Sequence, residues 1–109
     1  MRYQIKLFQT ARGDYPVNKF VEEQDPTTYS KILHTIGLLK NHGYYLRMPF
    51  SKKLGDKLYE LRITSKVAAR ILYTTHNSVF YLLHAFKKKA QKTPRKEIKI
   101  ALDRIKKIV

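Results

Sequence analysis

Three strand-like runs in the second half of the chain constrain its fold more than any other feature. The runs are KLYELRI (57–63), AARILYT (68–74) and VFYLLHAF (79–86), and the short polar segments TSKV and THNS separate them. Their alternation and their aromatic and β-branched residues predict β-strands. Because strands joined by such short connections are antiparallel neighbours, we expect an antiparallel sheet.

The first half of the chain predicts one further strand and an ordered loop. YQIKLF (3–8) alternates Tyr3, Ile5 and Leu7 with polar residues, which is the period of a half-buried strand. YYLRMPFSKKLGD (44–56) has no sustained period, so we expect an ordered loop there.

Start and stop signals predict three helices. Asp14 is the expected N-cap of a short first helix, and Asp25 is the expected N-cap of a second helix that ends at Gly43. Near the end of the chain, Thr93 suits an N-cap and Pro94 suits the first turn of a third helix. This last helix has an apolar stripe and a basic face.

The resulting element order, β-α-α-β-β-β-α, predicts an α+β fold in a single domain of residues 1–109. We expect a twisted, mainly antiparallel sheet with the helices packed on one face. Successive side chains of a strand point to opposite faces, so Arg62 and Arg70 must each lie on one definite face of the sheet. In the last strand, the same alternation groups Phe80, Leu82, His84 and Phe86. If Arg62, Arg70 and His84 point away from the helices, they form a concave basic face lined by aromatic residues.

The charge of the chain indicates a polyanionic partner. It has 23 Lys and Arg against 8 Asp and Glu, which gives a net charge of +15. Such an excess favours nucleic acid or an acidic protein. There is no cysteine, no signal-like apolar segment at the N-terminus and no apolar window as long as a membrane span. We therefore expect a cytoplasmic protein with no membrane partner.

The sequence lacks the patterns of metal, nucleotide-cofactor and serine-hydrolase sites. His34, His42, His76 and His84 have none of the close spacings of metal ligands, and no phosphate-binding glycine loop or nucleophile elbow is present. We expect no metal and no cofactor. The remaining Arg, Lys, His and Tyr side chains can bind a phosphate and move protons, which suits RNA because RNA supplies its own 2′-hydroxyl nucleophile.

Three segments resemble the HigB-like, phage-derived branch of the RelE/ParE toxin superfamily. They are KLGDKLYELRI, AARILYT and LLHAFKKKAQKTPRKEIKIA, and together they extend the resemblance over residues 54–102. The resemblance implies a RelE-like fold and a type II toxin that enters the ribosomal A site and cuts mRNA. It also implies that a HigA-like helix-turn-helix antitoxin neutralises the protein.

The resemblance also assigns site residues. Arg62, Arg70 and Lys88 match basic catalytic positions, and Lys87, Lys89, Gln91 and Lys92 lie in the same motif. Position 60 is Glu where some relatives have lysine, and the tyrosine that several ribonucleolytic toxins place after the basic cluster is absent. His84 and Tyr73 are the candidates to replace it. The expected catalytic set is Arg62, Arg70, Lys88 and His84, and the expected RNA-binding set is Lys87, Lys89, Gln91, Lys92 and Tyr73.

Alternatives remain open for both the residues and the protein. Arg62 could simply pair with Glu60, His84 could be a hydrogen-bonded structural residue, and the lysine run could be a solvated surface. The protein could instead be a non-enzymatic inhibitor of DNA gyrase, as the ParE branch is, or an RNA- or ribosome-binding module without catalysis.

Overall fold

Five strands and three helices make up the α+β fold in the computed structural model, which describes residues 2–108. The strands are β1 (Gln4–Leu7), β2 (Ser51–Lys53), β3 (Tyr59–Ile63), β4 (Ala69–His76) and β5 (Val79–Lys87). The helices are α1 (Pro16–Glu22), α2 (Pro26–His42) and α3 (Arg95–Ile105), and a 3-10 turn spans Gly43–Tyr45.

All five strands belong to one sheet with the order β1-β5-β4-β3-β2. The three strands predicted in the second half pair antiparallel, while β1 lies parallel to β5 at the edge. The strand β2 pairs with β3 and was not predicted, because three residues inside a loop-like segment are too short to show a period. The predicted element order is therefore wrong by one strand.

The helix ends agree only partly with the sequence signals. Asp25 caps α2 as predicted, accepting a hydrogen bond from the Thr28 N–H at 3.2 Å. A hydrogen bond from the side chain of Thr28, and after it this backbone bond, lower the pKa of the Asp25 carboxyl. Asp14 does not cap α1: the N-cap is Tyr15, and Asp14 instead closes a backbone turn with Thr10. Among residues 2–108, no helix has the length and apolar composition needed to cross a membrane.

The helices α1 and α2 cover one face of the sheet, here called the helix-pair face. Val17 and Ile32 are fully buried there against side chains of the three central strands. The strand residues of this core are Leu61, Ile63, Ala69, Ile71, Tyr73, Phe80 and Leu82.

The helix α3 covers the opposite face, here called the α3 face, so the prediction that all helices share one face is wrong. Ala101 and Ile105 pack there against Leu72 and Leu83, which are both fully buried. The reason is that this face of the sheet also carries apolar side chains, which must be removed from water. Arg104 strengthens the docking by donating to the Leu83 carbonyl at 2.7 Å.

A β-bulge changes the direction of side chains halfway along β5. Leu72 pairs with His84 but the next residue, Tyr73, pairs with Leu82, so Leu83 is the extra residue. As a result, Leu82 lies on the helix-pair face whereas His84 lies on the α3 face. The predicted grouping of Phe80 and Leu82 with His84 and Phe86 is therefore wrong, because the bulge interrupts the alternation.

Candidate functional site

Two arginines meet directly across the β3–β4 pair on the α3 face. Arg62 and Arg70 are register partners, and their side chains are 23% and 8% exposed. Like charges placed directly opposite in a sheet repel each other, and burial increases the cost. Burial and the Arg62 charge lower the pKa of Arg70, in that order of importance. The pair therefore requires a compensating negative charge.

Glu60 supplies that charge from the same face of β3. Its Oε2 lies 3.8 Å from the Nε of Arg62 and 3.8 Å from the Nε of Arg70, and its side chain is 4% exposed. Arg70 also donates from Nη1 to the Ala69 carbonyl at 3.0 Å. The ion pair between Arg62 and Glu60, one of the alternatives open from the sequence, is present, but the carboxylate holds both guanidinium groups together.

Glu60, Arg62 and Arg70 are here called the arginine cluster. Thr93 connects this cluster to the start of α3. Its hydroxyl donates to Glu60 Oε1, whereas the N-cap of α3 is Pro94, which makes no side-chain hydrogen bond. The predictions that Thr93 caps the helix and that Pro94 begins it are thus wrong by one residue. The hydroxyl instead serves a buried carboxylate, which needs a donor more than an exposed helix end does.

His84 lies on the same face, one diagonal step from Arg70 in the sheet register. Its Nε2 is 2.8 Å from Glu97 Oε1 in the first turn of α3, and its ring stacks on Phe86 with 5.6 Å between centroids. A carboxylate at this distance fixes the orientation of the imidazole. The pair is suited to proton transfer beside the arginines.

The lysine-rich segment begins at the end of the sheet where Arg70 lies. Lys87 pairs with Ala69, and the Lys88 N–H donates to the Ala68 carbonyl at 3.0 Å. Lys88 is partly buried, and the following side chains of Lys89, Gln91 and Lys92 are exposed. The structure thus joins the segment to the arginine cluster through the backbone of β4 and β5.

Tyr73 is not brought to this cluster. It lies on the helix-pair face, where it stacks on Tyr59 and its hydroxyl is 2.5 Å from Ser51 Oγ. Strand alternation explains the separation, because Tyr73 is three positions from Arg70 in an uninterrupted strand.

Three residues of the cluster were not among the predicted site residues: Glu60, Thr93 and Glu97. Glu60 had a sequence signal, since it is a carboxylate two positions before Arg62 in an apolar strand and therefore shares its face. Thr93 and Glu97 had none, because they reach their partners across 33 and 13 residues of sequence.

The arrangement groups guanidinium donors, a buried carboxylate and a histidine on one face of the sheet. The two guanidinium groups carry N–H donors of the kind that bind phosphate, and the side chain of Arg62 is the more exposed of the two, at 23% against 8% for Arg70. Beside them is a histidine already oriented by a carboxylate. Within residues 2–108, no three His, Asp or Glu side chains are grouped so that they could bind a metal ion together.

Comparisons with known proteins identify the family. Residues 19–106 match the sequence profile of the family described as "Phage derived protein Gp49-like (DUF891)". A comparison with curated proteins found no match. Because the profile covers most of the chain, including Glu60, Arg62, Arg70 and His84, this chain belongs to the Gp49-like family of phage-derived proteins, a RelE/HigB-like toxin family.

Proposed function

We propose that this protein is the toxin of a type II toxin-antitoxin system and cleaves mRNA in the ribosomal A site without a metal ion. The observation that carries the proposal is the pairing of Arg62 with Arg70 on the buried carboxylate of Glu60. Two arginines that face each other in a sheet repel each other, and this repulsion supports a role for the pair in binding a phosphate. Membership of the family and the α+β architecture support a RelE-like toxin of the HigB branch.

The proposed reaction uses the 2′-hydroxyl of the substrate. Its oxygen attacks the adjacent phosphorus and a 2′,3′-cyclic phosphate forms. The bond from phosphorus to the 5′-oxygen breaks, and that oxygen leaves with a proton taken from water. Arg62 and Arg70 stabilise the additional negative charge on the phosphoryl oxygens in the transition state. With Nε2 donating to Glu97, Nδ1 of His84 is the atom that accepts the 2′ proton.

The lysine-rich segment then binds the flanking phosphates of mRNA or ribosomal RNA. Lys87, Lys88, Lys89 and Lys92 neutralise phosphates and so release counterions, and Gln91 adds hydrogen bonds. A HigA-like helix-turn-helix antitoxin is the proposed neutralising partner, and the cytoplasm is the proposed compartment.

The test is a translation extract supplied with a reporter mRNA. We expect the wild-type protein to produce cuts within codons that leave 5′-hydroxyl ends, and we expect Arg70→Ala to reduce the cleavage rate by about 100-fold or more. Arg70→Lys tests whether charge alone suffices, and Arg12→Ala, which removes an arginine that is 89% exposed, is the matched control. Thermal unfolding of each variant separates loss of activity from loss of fold.

Other results would favour the alternatives. Inhibition of DNA supercoiling without mRNA cleavage would overturn the proposal in favour of a gyrase inhibitor. Salt-sensitive RNA binding without new 5′-hydroxyl ends would favour a binding module.

A further inference from the structure

A cavity lies on the helix-pair face, away from the arginine cluster. It has a volume of about 350 Å³, within the range of small-molecule sites. Four aromatic rings and two cationic side chains line it, together with small hydroxyl residues and backbone. We call it the tyrosine pocket; its principal residues are Tyr44, Arg47, Lys53, Tyr59, Tyr73 and Phe80.

The rings of the tyrosine pocket form one continuous aromatic surface, because Tyr73 also contacts Phe80 with 6.1 Å between centroids. Tyr59 stacks on Tyr73 with 5.3 Å between centroids and 19° between planes. Tyr44 packs on Phe80 at 4.9 Å and remains 47% exposed, while Phe80 is buried. Exposed aromatic surface beside a cavity is costly in water and is suited to stacking with a flat aromatic ligand.

Polar groups lie at the floor and the rim of the pocket. At the floor, the hydroxyls of Ser51 and Tyr73 contact each other at 2.5 Å, and Thr75 adds a third hydroxyl. Burial raises the pKa of Tyr73, so this phenol stays protonated and can donate a hydrogen bond.

Two cations stand at the rim without a carboxylate among the lining residues. Arg47 uses Nη1 to donate to the carbonyls of Tyr44 and Leu46, which leaves the N–H groups on its other nitrogens for a ligand. Lys53 is the register partner of Tyr59 and also lines the pocket, so its exposed side chain begins beside the stacked rings. The pocket is therefore aromatic inside and positive outside.

From this combination we infer that the tyrosine pocket binds a nucleotide, with the base against the aromatic rings and the phosphate on Arg47 and Lys53. A flat ring system attached to an anion can stack on the aromatic rings while its negative charge pairs with the two cations. The nucleotide unit can belong to single-stranded RNA or be a free mononucleotide. The site does not depend on cleavage, because it shares no residue with the arginine cluster.

Binding can be measured with a single-tryptophan reporter, because the chain contains no tryptophan. The substitution Tyr44→Trp places the reporter among the aromatic rings that line the pocket. We expect AMP or UMP to quench its fluorescence saturably, and we expect adenosine and inorganic phosphate, each offered alone, to bind at least about tenfold more weakly than AMP.

Further substitutions in the reporter background locate the site. Arg47→Ala is expected to weaken AMP binding about tenfold, and Thr75→Phe, which fills the cavity, is expected to abolish it. Lys31→Ala is the control, because it removes an exposed charge outside the pocket. A short 2′-O-methyl RNA, which cannot be cleaved by its own 2′-oxygen, distinguishes RNA from mononucleotide as the ligand: tighter binding than AMP assigns the pocket to RNA.

Several outcomes would overturn the inference. One is the absence of saturable quenching by any nucleotide while the reporter variant unfolds at the same temperature as the wild type. Another is equal weakening by Arg47→Ala and Lys31→Ala, which would indicate general attraction to a basic protein. Equal affinity for phosphate and AMP would reduce the site to an anion contact.

Discussion

At the scale of single residues, Glu60 decides whether the arginine cluster can exist. The chain has only 8 acidic residues, and this one is buried between two arginines that face each other. Replacing one charge of such a cluster leaves the others buried without compensation, which is costlier than losing a surface ion pair. The carboxylate therefore stabilises the folded protein and also holds the guanidinium groups in place for an anion.

The substitution Glu60→Gln tests this role through stability. We expect it to lower the free energy of unfolding by about 3 kcal/mol, because the Arg62–Arg70 repulsion is no longer offset. Urea unfolding at neutral pH measures the change. Glu22→Gln is the matched control: Glu22 is exposed and bonded only to Asn18, so a change within about 0.5 kcal/mol is expected. A neutral result for Glu60→Gln would mean that the arginines separate readily and do not need this carboxylate.

At the scale of the elements, Gly37 inside α2 and Gly43 just after its end differ in whether the fold needs a glycine there. Gly43 ends the helix with φ +51°, and a Cβ there would collide with the ring of Tyr3. Gly37 lies inside the helix, and a Cβ there would meet nothing within 4 Å. The first glycine is needed for the turn, while the second only weakens the helix.

The pair Gly43→Ala and Gly37→Ala therefore should shift stability in opposite directions. We expect Gly43→Ala to destabilise the protein by about 1–3 kcal/mol through backbone strain and the collision, and Gly37→Ala to stabilise it by up to about 1 kcal/mol. Thermal and urea unfolding give both values. Destabilisation by Gly37→Ala would show that the interior of α2 is more tightly packed than its open surroundings indicate.

The helices and strands also show how much of the fold could be predicted from the sequence. Periodicity predicted the three long antiparallel strands, and start and stop signals predicted the three helices. It could not predict β2, which is too short, or the α3 face, which depends on tertiary packing. The bulge at Leu83 had no local signal, yet without it His84 would point to the helix-pair face. The site residues stay a prediction, and their arrangement could not be predicted because it depends on tertiary packing and on the bulge.

At the scale of the whole molecule, the net charge of +15 includes two pairs of exposed lysines at opposite ends of α3. Their effects on RNA binding can be compared directly. Lys89 and Lys92 are exposed in the segment before α3, next to the arginine cluster, while Lys106 and Lys107 are exposed at the other end of that helix. Eleven helical residues separate the two ends by about 16 Å. Removing either pair changes the net charge equally, so only the position differs.

The dependence of RNA binding on salt distinguishes a phosphate-binding segment from general attraction. With uncleavable 2′-O-methyl RNA, we expect Lys89→Ala together with Lys92→Ala to reduce the slope of log affinity against log salt by about 0.7 for each phosphate that the protein no longer neutralises. Lys106→Ala together with Lys107→Ala should leave the slope nearly unchanged, because those lysines lie away from the proposed RNA path. Equal effects of the two pairs would mean that RNA senses only the total charge, and the lysine-rich segment would then be a solvated surface with no specific part in binding.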